Sequence, residues 1–138
     1  VATTAPERSH DAPPATPFER IGGHAGLKAI VERFYDLMDS DPAYAPLRAM
    51  HAPDLAPMRH SLASFLAGWS GGPRAWWDAN PGKCMMSAHS GFAIDRAVAD
   101  QWAEAMRRAI TDAAPADREI ADAMGDVLVR MAKGMARG

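Results

Sequence analysis

The stretch SGGPRAWWDANPGKCMMSAHSGFAI, running from Ser70 to Ile94, decides how the rest of the chain is read. Gly71-Gly72-Pro73, Asn80-Pro81-Gly82 and Ser90-Gly91 interrupt it, so no single helix spans it. Its apolar residues do not alternate, so it is not a strand either. Between the breaks, Trp76 and Trp77 read as aromatic anchors of a turn or two, and Lys83 to His89 as one short helix. Connections within a simple helical bundle are short. A long aromatic connection between two pairs of helices points to something seated between the pairs.

Both flanks are helical. On the N-terminal side, Leu27, Ile30, Val31, Phe34 and Met38 recur at i, i+3, i+4, i+7 and i+11, one face of a helix. Asp39-Ser40-Asp41-Pro42 ends it, because proline biases its predecessor out of the helical region. Tyr44 to Pro53 reads as short turns. Asp54 is positioned as an N-cap for a second helix whose stripe is Leu55, Met58, Leu62, Phe65, Leu66 and Trp69. On the C-terminal side, Asp95 caps a third helix carrying Val98, Trp102, Ala105, Met106, Ala109 and Ile110. Pro115 separates a fourth, with Ile120, Met124, Val127, Leu128, Met131 and Met135 on one face. β-branched residues are sparse, and alanine, the best helix former, is abundant. The fold class is therefore all-α. Residues 1–17, rich in Ala, Pro and Thr and without periodicity, read as a flexible leader to a single domain over residues 18–138.

Composition excludes several classes. The 138 residues suffice for one core, not two. A net charge of -2 argues against nucleic acid as a partner. One cysteine, Cys84, excludes an internal disulfide or a multi-cysteine zinc site. No apolar run is long enough to span a membrane, and no basic segment followed by an apolar stretch opens the sequence, so the expected setting is cytoplasmic. Nine Met and four Trp are many for this length, and several take interior spacing.

No glycine loop of the phosphate-binding kind is present, and no serine sits in a nucleophile context. Of the histidines, His10 and His24 fall in the leader and a turn, and His60 lies off its stripe. His51 sits in the loop between the first two helices. His89 closes an apolar segment containing Met85 and Met86. Such a histidine is either a packed, hydrogen-bonded side chain or a metal ligand, and composition leaves both open. As a ligand, one imidazole holds a haem iron from one side and leaves the other side for a gas. Tyr35 and Trp102 are either boundary aromatics or donors inside an apolar cavity, where they stabilise a partly anionic dioxygen. Met38, Met58, Met106, Met124, Met131 and Met135 take core spacing and read as packing.

In order and spacing, four blocks resemble group II truncated haemoglobins: Phe18-Glu19-Arg20-Ile21-Gly22-Gly23; Arg33-Phe34-Tyr35-Asp36; Phe65-Leu66 with Trp69-Ser70-Gly71-Gly72-Pro73; and His89-Ser90-Gly91-Phe92-Ala93-Ile94 followed by Trp102. The resemblance implies a two-over-two helical sandwich, a shortened globin, with b-type haem between the helix pairs. It implies His89 as the proximal ligand, and Tyr35, Trp102 and His51 beside bound gas. Met58 falls at the gate position of the distal helix, Leu62 at an apolar distal position, and Phe65 and Leu66 at haem-contacting ones. Met86 and Phe92 border the haem on the same reading. The family often carries basic residues just before the proximal histidine. Here Cys84-Met85-Met86-Ser87-Ala88 stands there, leaving Lys83 or Arg74 to meet the haem propionates.

The implied function is reversible binding of dioxygen and other small diatomic ligands by a monomer or homodimer. Alternatives are a haem peroxidase or nitric oxide dioxygenase supplied by an external reductase, and a haem-free helical interaction module.

Overall fold

In a computed structural model of the chain, residues 15–82 and 94–136 are described. Every regular element among them is helical: α1 Pro17–Arg20, α2 Gly23–Ser40, a 3-10 turn Pro42–Tyr44, α3 Ala45–Ala49, α4 Ala56–Trp69, α5 Ala75–Ala79, α6 Arg96–Ala113 and α7 Arg118–Gly134. None of these helices is long and apolar enough to cross a membrane.

Helix α2 is the centre. Its stripe Leu27, Ile30, Val31, Phe34, Leu37 and Met38 is buried, and it packs against α4 on one side and α6 on the other. Helix α6 in turn packs against α7. The pairs α2–α4 and α6–α7 form the two layers of the sandwich. Buried Ala99, Ala103, Ala105 and Ala109 on α6 keep that helix thin where its neighbours approach.

Side-chain caps fix where α6 and α7 begin. Asp95 Oδ1 accepts from the Val98 N–H at 2.8 Å and starts α6. Asp117 Oδ1 accepts from the Ile120 N–H at 3.1 Å and starts α7. Asp54 does not cap α4; Leu55 holds that position and makes no side-chain cap bond. Asp54 instead accepts from the Ala56 N–H at 3.0 Å, across the turn that enters the helix. Helix α4 stops at Trp69, before the Gly71-Gly72-Pro73 break.

The N-terminal edge of the fold lies inside the stretch read as leader. Thr16 caps α1 in a reciprocal capping box with Glu19, and the Phe18 N–H donates to the Ser70 carbonyl at 2.9 Å. Arg20 donates to Asp117 at 2.9 Å and to Glu119 at 2.8 Å, tying α1 to the start of α7. The segment from Arg74 to Gly82, read as turns, contains the helix α5. The helix expected over Lys83 to His89 lies outside the described residues, as do Cys84 and most of the leader.

Candidate functional site

Side chains from each long helix, several of them shared with the core, line a common cavity of about 540 Å³. Helix α4 contributes Met58, Leu62 and Phe65, spaced i, i+4 and i+7. Helix α6 contributes Val98 and Trp102, one turn apart, and α7 contributes Leu128 and Met131, with Met135 just past its end. Tyr35 enters from α2, Trp76 from α5, and Met50 and His51 from the loop after α3. The walls are apolar and aromatic. The volume falls in the range of about 300–1,000 Å³ that small-molecule and cofactor sites occupy.

Polar groups on these walls are few. Tyr35 is 2% exposed, and burial pushes its phenol up to about 12, against the opposing pull of the Arg59 charge. It therefore stays protonated, and a donor, through the neutral range. Neither the Tyr35 hydroxyl nor the Trp102 indole N–H makes a hydrogen bond to any described residue. The two rings are linked through Phe34, whose centroid lies 4.9 Å from Tyr35 and 5.1 Å from Trp102, both edge-on. His51 stands edge-on to Tyr35 at 6.1 Å, and its Nδ1–H donates to the Leu47 carbonyl at 2.9 Å. That bond fixes the imidazole plane at the cavity wall.

Of the residues singled out by sequence, Tyr35, His51, Met58, Leu62, Phe65 and Trp102 are thus gathered on one cavity. Leu66 is not. It is 1% exposed in the core, because one residue beyond Phe65 the helix has turned by about 100°. Met58 is not packing filler either; at 38% exposure it stands where the cavity meets solvent. Arg74 lies over the Trp77 ring at 5.1 Å. His89, Lys83, Met86 and Phe92 lie outside the described residues. His60 is exposed, and His24 is in the first turn of α2, against Phe18 at 5.0 Å.

Sequence reading missed part of the wall. Trp76, taken as packing together with Trp77, lines the cavity. Adjacent helical residues point about 100° apart, so the two could not share one role. Trp77 stacks on Phe65 at 5.0 Å and Trp76 meets the same ring edge-on at 5.0 Å. Met131 and Met135, taken as core, also face the cavity. Their i, i+4 spacing serves core and cavity equally, and no signal in the sequence separates the two.

The wall chemistry fits a flat, mostly apolar macrocycle with a small ligand beside it. Aromatic and aliphatic side chains cover the faces, and two donors, the buried Tyr35 hydroxyl and the half-buried Trp102 indole N–H, bond to no described residue.

Comparison with known proteins agrees. The family model of the bacterial-like globins matches residues 16–136. A cold-adapted truncated haemoglobin from the Antarctic marine bacterium Pseudoalteromonas haloplanktis superposes with a TM-score of 0.84 at 31% identity, covering 90% of this chain and 99% of that one. The group II 2-on-2 haemoglobin of Agrobacterium tumefaciens superposes with a TM-score of 0.86 at 28% identity, over 92% and 98%. The group II truncated haemoglobin of Bacillus anthracis gives 0.80 at 26%, over 90% and 98%. With the two helix pairs, the cavity between them and the family match over nearly the whole described chain, this protein belongs to the bacterial-like globin family, as a haem-binding globin of the truncated form.

Proposed function

We propose that the chain binds b-type haem through His89 and holds dioxygen reversibly, as a cytoplasmic protein. The observation that carries this reading is the pair of donors, Tyr35 and Trp102, on one apolar cavity with no acceptor among the described residues. His89 would hold the haem, which when bound would supply an iron where a diatomic ligand takes up partial negative charge. Tyr35 and Trp102 donate toward that charge from two different helices. Leu62 and Phe65 keep water from competing for the donors, and Met58 stands at the opening through which a ligand passes. Lys83 is the side chain assigned to a propionate.

A hydrogen bond to a charged acceptor contributes about 1.5–3 kcal/mol. Losing one donor therefore speeds ligand release by about tenfold or more. Stopped-flow measurement of dioxygen dissociation from the ferrous, haem-loaded chain tests this in Tyr35→Phe and Trp102→Phe. If neither variant changes the rate by about twofold, the distal assignment fails. Reconstitution with haemin tests the proximal one: His89→Ala is expected to lose the five-coordinate ferrous spectrum, and an unchanged spectrum removes the ligand role.

A further inference from the structure

Arg59 follows Met58 on α4, yet its guanidinium turns to α2 instead of to the cavity. Its Nη1 donates to the Glu32 carboxylate at 2.6 Å and to the Glu32 backbone carbonyl at 3.1 Å. Its Nη2 donates to Asp36 at 3.0 Å. Glu32 and Asp36 stand three residues before Tyr35 and one after it, so the fork brackets the tyrosine. The guanidinium carbon lies 5.8 Å from the centroid of the Tyr35 ring. The Arg59 side chain is 21% exposed, against 44% and 57% for its two carboxylates. An arginine needing only a surface ion pair would gain more chain freedom by reaching into solvent. Here a backbone carbonyl and two carboxylates hold a planar cation over one aromatic ring.

We propose that Arg59 is a positioning residue for Tyr35: clamped by Glu32 and Asp36, it fixes the tyrosine ring in the plane that serves the cavity. The proposal rests on the proposed role of Tyr35 as a donor to bound ligand. The positive charge also acts on the phenol directly, opposing the effect of burial and strengthening the O–H as a donor.

Tyr35 and Tyr44 are the only tyrosines, and Tyr44 has its own cation, Arg108, at 5.7 Å. Tyr44 is therefore an internal reference. In the full chain carrying ring-labelled tyrosine, with and without haemin, Arg59→Gln is expected to move the Tyr35 ring signals in nuclear magnetic resonance. It is also expected to speed Tyr35 ring flips at least about fivefold and to leave Tyr44 unchanged. Dioxygen release from the ferrous haem-loaded chain speeds at least about threefold. In a Tyr35→Phe background the same substitution changes release by less than about 1.5-fold. Arg59→Lys, which keeps charge but not the fork, falls between wild type and Arg59→Gln. Should Arg59→Gln not fold, Glu32→Gln with Asp36→Asn releases the fork and gives the same readings. Unchanged Tyr35 signals, or Tyr35 and Tyr44 signals moving alike, overturn the positioning role. If the Tyr35 signals respond but Tyr35→Phe itself leaves release unaltered, the donor reading falls and the positioning role stands.

Discussion

Tyr35 carries its burial as a measurable property. Its phenol ionises at about 12 in the folded chain, against about 10 in an unfolded one. A group whose folded value is raised contributes stability that is full below the unfolded value and is lost as pH rises toward the folded one. Wild type is therefore expected to lose roughly 1 kcal/mol more than Tyr35→Phe between pH 9 and 11, read by urea denaturation at each pH. Equal slopes would mean that the phenol is solvated when folded. At this scale the sequence was informative where a residue type is rare and polar. Tyr35 and Trp102 stood out because each carries a donor at or beside an apolar stripe, whereas His51, in a loop, was marked only by the family resemblance. Trp76 and Met135 did not, because an apolar side chain looks the same whether it faces core or cavity. Leu66 differs from its neighbour: Phe65 reaches the cavity, and helical rotation carries Leu66 into the core.

At the scale of elements, the four long helices were legible because their stripes are periodic and their ends are marked by caps and breakers. Asp95 and Asp117 each accept from a free N–H in the first turn of α6 and α7, those of Val98 and Ile120. The short elements were harder. Helix α5 has five residues, too few for a period to show. Contacts at the entry to α2 decide what a substitution there does. An added Cβ at Gly26 would clash with the Ile21 carbonyl oxygen and stand 2.9 Å from its carbon. Both are backbone atoms and cannot swing aside. Helix propensity alone favours alanine over glycine by about 1 kcal/mol, but overpacking costs about 1–3 kcal/mol or more where neighbours cannot yield. Packing wins, and Gly26→Ala is expected to cost roughly 1–2 kcal/mol net in urea denaturation. At Gly134, near the end of α7, nothing lies within 4 Å of an added Cβ. There propensity acts unopposed, and Gly134→Ala is expected to be neutral or slightly stabilising. Loss of stability in both variants alike would show that the Ile21 contact is not the cause.

Across the whole molecule, α7 changes duty along its length. Ile120, Ala121 and Met124 near its start are buried in the core, while Met131 near its end and Met135, the residue that caps it, face the cavity, with Leu128 touching both. The helix pairs were legible in the sequence through the long Ser70 to Ile94 connection. The division of α7 was not, since it depends on how far the helix runs past α6 and over the cavity. This division separates two kinds of methionine. Met124 is 6% exposed, so Met124→Ala removes core contacts and costs about 2–4 kcal/mol whether or not haemin is present. Met131 and Met135 are only half-buried, so replacing both by alanine costs the haemin-free chain less. A ligand that binds only the folded chain stabilises it by an amount set by its concentration relative to Kd, about 2.7 kcal/mol at a hundredfold excess over Kd. If the α7 thioethers form the wall against which haem packs, their loss weakens binding by about tenfold. The haemin-induced gain then falls by about 1.4 kcal/mol. In Met124→Ala that gain is expected to match wild type. Urea denaturation of the three proteins, each with and without one fixed haemin concentration, makes the comparison. An equal gain in all three would remove the end of α7 from the cofactor wall.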